Sequence, residues 1–144
     1  MLYFQFRILH NILPTNSLLY KLGIVTSPLC SFCKDEAETV EHLFVDCDIA
    51  KQFWIHFKNF VIQFNVNYTA KEILLGNVNT STVIVDLLYL IAKQYLYHCR
   101  LSQRKPNFDN YLQSVWNYKR IEECSAHYCN KTNVFIEKWR GVNQ

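Results

Sequence analysis

Apolar residues recur at helical spacing along nearly the whole chain, and short polar breaks separate the runs. Leu2, Phe6 and Leu9 predict a helix over residues 2–10. Asn11-Ile12-Leu13-Pro14 ends it, because a proline biases the residue before it towards extended backbone. Thr15 or Asn16 then caps a short helix reaching residue 22, with Gly23 as its C′ residue. Thr39 caps a turn of helix that carries His42. Residues five apart do not share an α-helical face, so this turn is expected to end before Cys47. Asp48 is the expected N-cap of a helix over residues 48–64, with Ile49, Phe53, Phe57, Phe60, Val61 and Phe64 as its apolar stripe. Thr69 caps a short turn over residues 70–75, Gly76 ends it, and residues 77–80 form a polar loop. A long helix follows over residues 81–103. Its Val83, Leu87, Leu90 and Ile91 share one face, and Ile84, Leu88 and Tyr95 make the next face apolar too, which predicts a central, largely buried element. Phe108, Tyr111, Leu112, Val115 and Trp116 mark a helix to about residue 129, and a last one spans 134–140 with Trp139. The pattern predicts an all-α fold.

Composition supports this. Half of the 144 residues are hydrophobic, and three glycines and three prolines interrupt them. The length suits one core, or one core with a small lobe. The most apolar run, residues 83–97, is broken by Asp86, Lys93 and Gln94, so no membrane span is expected. The net charge of +3 is unevenly spread: residues 34–48 hold one Lys against six acids, a net −5, leaving +8 elsewhere. Phosphate contacts are therefore expected outside this acidic segment.

That segment overlaps the chain's most informative chemistry. Cys30, Cys33, His42 and Cys47 form a C-x2-C-x8-H-x4-C array. Three thiols and one imidazole complete a tetrahedral Zn²⁺ site and leave no position for water or substrate. Such a closed set shapes the chain rather than performing catalysis. Ordinary buried cysteines and a Cys30–Cys33 disulfide are the competing readings. No secretory signal is legible, and the spacing in a reducing interior, nucleus or cytoplasm, favours metal. A zinc lobe over residues 24–48 has few large apolar side chains, so metal binding is expected to supply its folding energy.

Three further cysteines, Cys99, Cys124 and Cys129, lie near His98 and His127. Residues along one helix rarely converge on one ion, so free thiols are expected there. Lys93, Arg100, Arg104, Lys105, Lys119 and Arg120, interleaved with Tyr95, Tyr97, Trp116 and Tyr118, make a candidate nucleic-acid face: cations for phosphate, rings for unpaired bases. The competing reading is a solvated surface over an aromatic core. Glu36 and Glu38 are acids of the lobe whose reversal to Lys is not expected to weaken binding, and Trp54 is expected to be a packing residue joining lobe to helix.

Several blocks are familiar in order and spacing: Phe4-Gln5-Phe6-Arg7-Ile8-Leu9-His10-Asn11-Ile12-Leu13-Pro14-Thr15-Asn16, Leu22-Gly23, Cys30-Ser31-Phe32-Cys33, Glu38-Thr39-Val40-Glu41-His42-Leu43-Phe44, Cys47 and Phe53-Trp54. Together they resemble the zinc-binding region near the C-terminus of LINE-type non-LTR retrotransposon reverse transcriptases. The later blocks, Ile91-Ala92-Lys93-Gln94-Tyr95, Cys99-Arg100, Lys105-Pro106-Asn107-Phe108 and Lys138-Trp139, look like the helical tail of such proteins. The resemblance implies that Cys30, Cys33, His42 and Cys47 are the zinc ligands and that the chain binds RNA or target DNA. It also implies a zinc-binding domain over residues 1–64 with a helical tail over 65–144 packed on it. The polymerase's paired aspartates are missing, so the chain is expected to be a non-catalytic C-terminal remnant of a polyprotein, beginning at an internal Met1. RNA or single-stranded nucleic acid is the expected partner, RNA ahead of duplex DNA. The alternatives are a zinc-stapled protein-interaction module contacting the polymerase domain of that polyprotein, or a decaying gene fragment.

Overall fold

The computed structural model describes residues 2–66, 68–76 and 83–142. The expected loop at 77–80 and the first two residues of the expected long helix lie outside the described residues. Within them the chain is all-α, with one isolated antiparallel bridge between Leu29 and Ala37. The helices are α1 (Leu2–Leu9), α2 (Asn16–Lys21), α3 (Asp48–Val61), α4 (Ala70–Leu75), α5 (Val83–Leu101), α6 (Phe108–Tyr128) and α7 (Thr132–Lys138). A π-helical turn, His42–Asp46, precedes α3, and a 3-10 turn, Ile62–Phe64, follows it.

The starts of α4 and α6 obey the local chemistry, whereas Thr15 makes no side-chain cap at α2. Thr69 and Glu72 form a reciprocal capping box at α4, and Asn107 caps α6 through Asn110 N–H. Gly23 follows α2 at φ 70°, a left-handed conformation that costs glycine little. Asn11, Asn65 and Asn130 take the same conformation after other helical segments, as asparagine tolerates. One expectation fails: Cys47, not Asp48, is the N-cap of α3.

α3, α5 and α6 enclose the core, where Phe53, Phe57, Leu88, Leu96, Tyr111 and Val115 are buried. Tyr111 is fully buried among Phe53, Phe57 and Phe108, with ring centroids 5.4, 5.8 and 5.4 Å away. Its hydroxyl donates to Leu88 O at 3.1 Å, which removes the cost of an unpaired buried polar group. α5 is central, as its two apolar faces suggest. Its register differs from the expected one, because Val83 is 61% exposed while Val85, Leu88, Ala92 and Leu96 point inward. α7 packs on α6 through Phe135 and Trp139. α1 packs on α4, and the π-turn lies against both α3 and α4. No described helix is long and apolar enough to cross a membrane.

Candidate metal centre

The reverse turn Cys30-Ser31-Phe32-Cys33 directs two sulfurs to one side. Lys34 N–H closes it on Cys30 O at 3.0 Å, and Phe32 N–H points at the Cys30 sulfur, 3.4 Å away. Lys34 adopts φ 62° to let the chain turn back, a strained conformation for a residue with a side chain. The second pair comes from the other side of the lobe. Thr39 Oγ1 accepts from His42 N–H at 3.0 Å and starts the helical turn, as its position predicts.

His42 and Cys47 meet by a different route from the expected one. In an α-helix, residues five apart point about 140° away from each other. Here the chain is wound as a π-turn, with Cys47 N–H on His42 O at 2.8 Å, an i→i+5 closure that brings both side chains to one side.

The ligand atoms of Cys30, Cys33, His42 and Cys47 all lie within 4.8 Å of one another. Cys30 Sγ is 3.9 Å from Cys47 Sγ, and Cys33 Sγ is 3.3 Å from His42 Nε2. Usual zinc–sulfur and zinc–nitrogen bond lengths imply tetrahedral edges of about 3.8 Å and about 3.5 Å. The donor set therefore fits one Zn²⁺. Cys30 and Cys33 are free thiols, not a disulfide. Cys30, His42 and Cys47 are buried, so the site is closed as well as complete.

Burial pushes the Cys30 thiol up to about 12 and also raises that of Cys47, although backbone N–H groups favour both thiolates. At Cys33 burial acts the same way, but the N–H groups of Glu36 and Asp35 and the His42 ring outweigh it and bring the thiol down to about 7. His42 Nδ1 is buried with no aligned hydrogen bond; the exposed Glu36 carboxylate stands 3.3 Å away. This leaves Nε2 facing the sulfurs and a carboxylate beside the other ring nitrogen, the usual support of a zinc-bound histidine.

Sequence reasoning missed the polar hub behind the knuckle. Glu38 is fully buried, not solvated. Its Oε1 accepts from Asn16 N–H at 2.8 Å and Arg100 Nε at 2.9 Å, and its Oε2 accepts from Ser31 N–H at 2.6 Å. Asn16 also links Arg100 to Leu29 O. One carboxylate thus ties α2, the knuckle and α5 together. No local pattern distinguishes Glu38 from its acidic neighbours, because its partner lies 62 residues away in sequence.

The six candidate nucleic-acid residues do not share one environment. Arg100 is buried in this hub. Lys93 is 2% exposed and donates to Gln5 Oε1 and Leu74 O at 2.6 and 3.0 Å; burial brings its ammonium down to about 8, with Asp86 opposing. Neither faces solvent phosphate. Lys119 is half-buried over the rings of Trp116 and Trp139 and donates to Val142 O. Arg104, Lys105 and Arg120 are exposed. Among the other thiols, Cys99 is buried and Cys124 and Cys129 are exposed. Cys30, Cys33, His42 and Cys47 are the metal-type cluster among the described residues. Trp54 packs as expected, donating to Phe44 O at 2.6 Å from a buried position.

Residues 1–54 match the family described as zinc-binding in reverse transcriptase. The matched span contains Cys30, Cys33, His42 and Cys47 and ends at Trp54, inside α3. No curated protein and no solved structure matches the chain.

Proposed function

We propose that the chain is a non-catalytic, zinc-stabilised module that binds single-stranded nucleic acid, RNA above all, and derives from the C-terminal part of a LINE-type non-LTR retrotransposon polyprotein. The observation that carries this reading is the closed three-thiol, one-imidazole cluster inside the segment that matches a reverse-transcriptase zinc-binding family. A closed donor set supplies shape and leaves recognition to the surface. In this reading residues 1–64 are the zinc-binding unit, residues 65–144 are the tail docked on it, and the working compartment is the reducing nucleus or cytoplasm. The acidic lobe turns phosphate away, and Arg104, Lys105 and Arg120 attract it. Lys93 and Arg100 are left out of this surface because both are committed to internal partners.

Fluorescence anisotropy of the zinc-loaded chain with a labelled single-stranded RNA, over a range of salt, tests the reading. Affinity is expected to fall linearly with salt on logarithmic axes. Replacing Arg104 and Lys105 together by Ala should flatten the slope by roughly 1 to 1.5, as two phosphate contacts on a single strand imply. No binding to RNA or DNA at low salt would overturn it.

A second reading, a protein-docking module, has its own support. Tyr3, Phe6, Leu9 and Ile12 are 71, 47, 50 and 48% exposed on and just after α1, an apolar surface suited to a protein neighbour such as the parent polymerase. Failure of all nucleic-acid binding would favour it.

A further inference from the structure

We propose that the cleft between α3 and the loop leading into α6 seats one unpaired nucleobase against Phe108 and His56, with the adjoining phosphate on Lys105. This rests on the nucleic-acid reading above and assigns it a base-binding site. The cleft measures about 380 Å³, within the range of roughly 300–1,000 Å³ usual for small-ligand sites. Its lining combines three kinds of group that a nucleotide needs. Phe53, His56 and Phe108 supply rings, Lys105 supplies a cation, and Gln52 and Asp109 supply hydrogen-bonding groups for a base edge.

The rings are held in place. Phe108 is half-buried, with Phe53, Phe60 and Tyr111 at centroid distances of 5.8, 6.0 and 5.4 Å. His56 is exposed beside it, its ring 5.9 Å away and inclined by 30°. The loop between Lys105 and Phe108 is fixed as well. Tyr95 OH accepts from Asn107 N–H at 3.0 Å and lies 2.9 Å from Asn107 O, while Asn107 Oδ1 caps α6. A ligand therefore meets a preformed surface and orders little of the protein.

The composition selects the ligand. A bare anion leaves the aromatic surface unused. A purely apolar ligand makes no use of Lys105, Gln52 and Asp109. A duplex keeps its base faces stacked away from side chains, so a flat polar ring on an anionic chain points to an unpaired nucleotide.

The experiment uses the full zinc-loaded chain and a fluorescein-labelled 12-nucleotide single-stranded RNA, beside an oligonucleotide of equal length with abasic central positions. His56→Ala, at an exposed position, and Phe108→Leu are compared with the unsubstituted protein. Circular dichroism and zinc content serve as folding checks. Each substitution should weaken RNA binding about tenfold, the scale of one lost stacking contact, without changing the salt slope. Both should leave abasic binding unchanged. A photoreactive thiouridine in the RNA should crosslink to a peptide containing His56 or Phe108. If the unsubstituted protein binds RNA while His56→Ala keeps full affinity and the crosslinks map elsewhere, the cleft assignment is overturned and the nucleic-acid reading stands. If the unsubstituted protein binds neither oligonucleotide, both fall.

Discussion

Lys93 shows what burial does to a single side chain. A primary ammonium at 2% exposure donates to the amide oxygen of Gln5 and the carbonyl of Leu74; desolvation favours its neutral form and, against the pull of Asp86, brings it down from 10.5 to about 8. A depressed folded-state value means that the unfolded chain binds more protons between these limits. The contribution of Lys93 to stability is therefore full above about 10.5 and is lost as pH falls through about 8. The unfolding free energy of the wild type minus that of Lys93→Met should rise between pH 7.5 and pH 10.5, by at most about 3 kcal/mol. The subtraction removes the cysteines and tyrosines that titrate over the same window. Urea denaturation at several pH values measures it, and a flat difference would show that Lys93 titrates as though solvated.

At the scale of elements, the join between the zinc lobe and α5 is electrostatic as well as apolar. Glu38 and Arg100 are 0% and 8% exposed, and Glu38 also accepts two backbone N–H groups, one of them in the knuckle itself. Removing one partner leaves a buried charge uncompensated and costs about 3–5 kcal/mol. Arg100→Met should therefore destabilise the chain by that order in chemical denaturation. The double variant Glu38→Gln with Arg100→Met should recover part of the loss, because neither charge then remains. Strict additivity of the two single substitutions would rule out a coupled pair. Glu38→Lys would place two cations in one buried site.

Across the whole molecule, metal and core share the stabilisation unequally. Cys30, Val40, Leu43, Phe44 and Cys47 belong to the same buried cluster as the helices, and Trp54 holds Phe44 O. Residues 24–29 and 31–37 contribute no fully buried side chain and depend on the knuckle for their shape. Chelation of zinc, or Cys33→Ser, should thus speed amide exchange over residues 24–41, while α5, α6 and Leu43–Phe44 remain protected. Hydrogen-exchange mass spectrometry resolves these segments, and metal analysis should count one zinc per chain before chelation. Unchanged exchange in the lobe would mean that its fold does not need the metal.

Local rules carried the helices, the C-terminal end of α2, both ends of α4 and the clustering of Cys30, Cys33, His42 and Cys47, because helical periodicity, capping chemistry and cysteine spacing all act within a few residues. The way in which His42 and Cys47 meet was not legible. A π-turn is chosen when the gain from bringing ligands and Leu43–Phe44 into place exceeds the poorer local winding. The register of α5 was not legible either, since two neighbouring apolar faces leave its rotation to the packing of α3 and α6. Nor could the fates of Glu38, Lys93 and Arg100 be read from composition. A charge in a polar-looking segment reads as solvated until a distant element covers it: Glu38 and Arg100 lie 62 residues apart, and Lys93 lies 88 residues from Gln5. Spacing along the chain thus picked out the Cys3His group that could hold a metal, whereas tertiary packing alone decided which cations remain exposed.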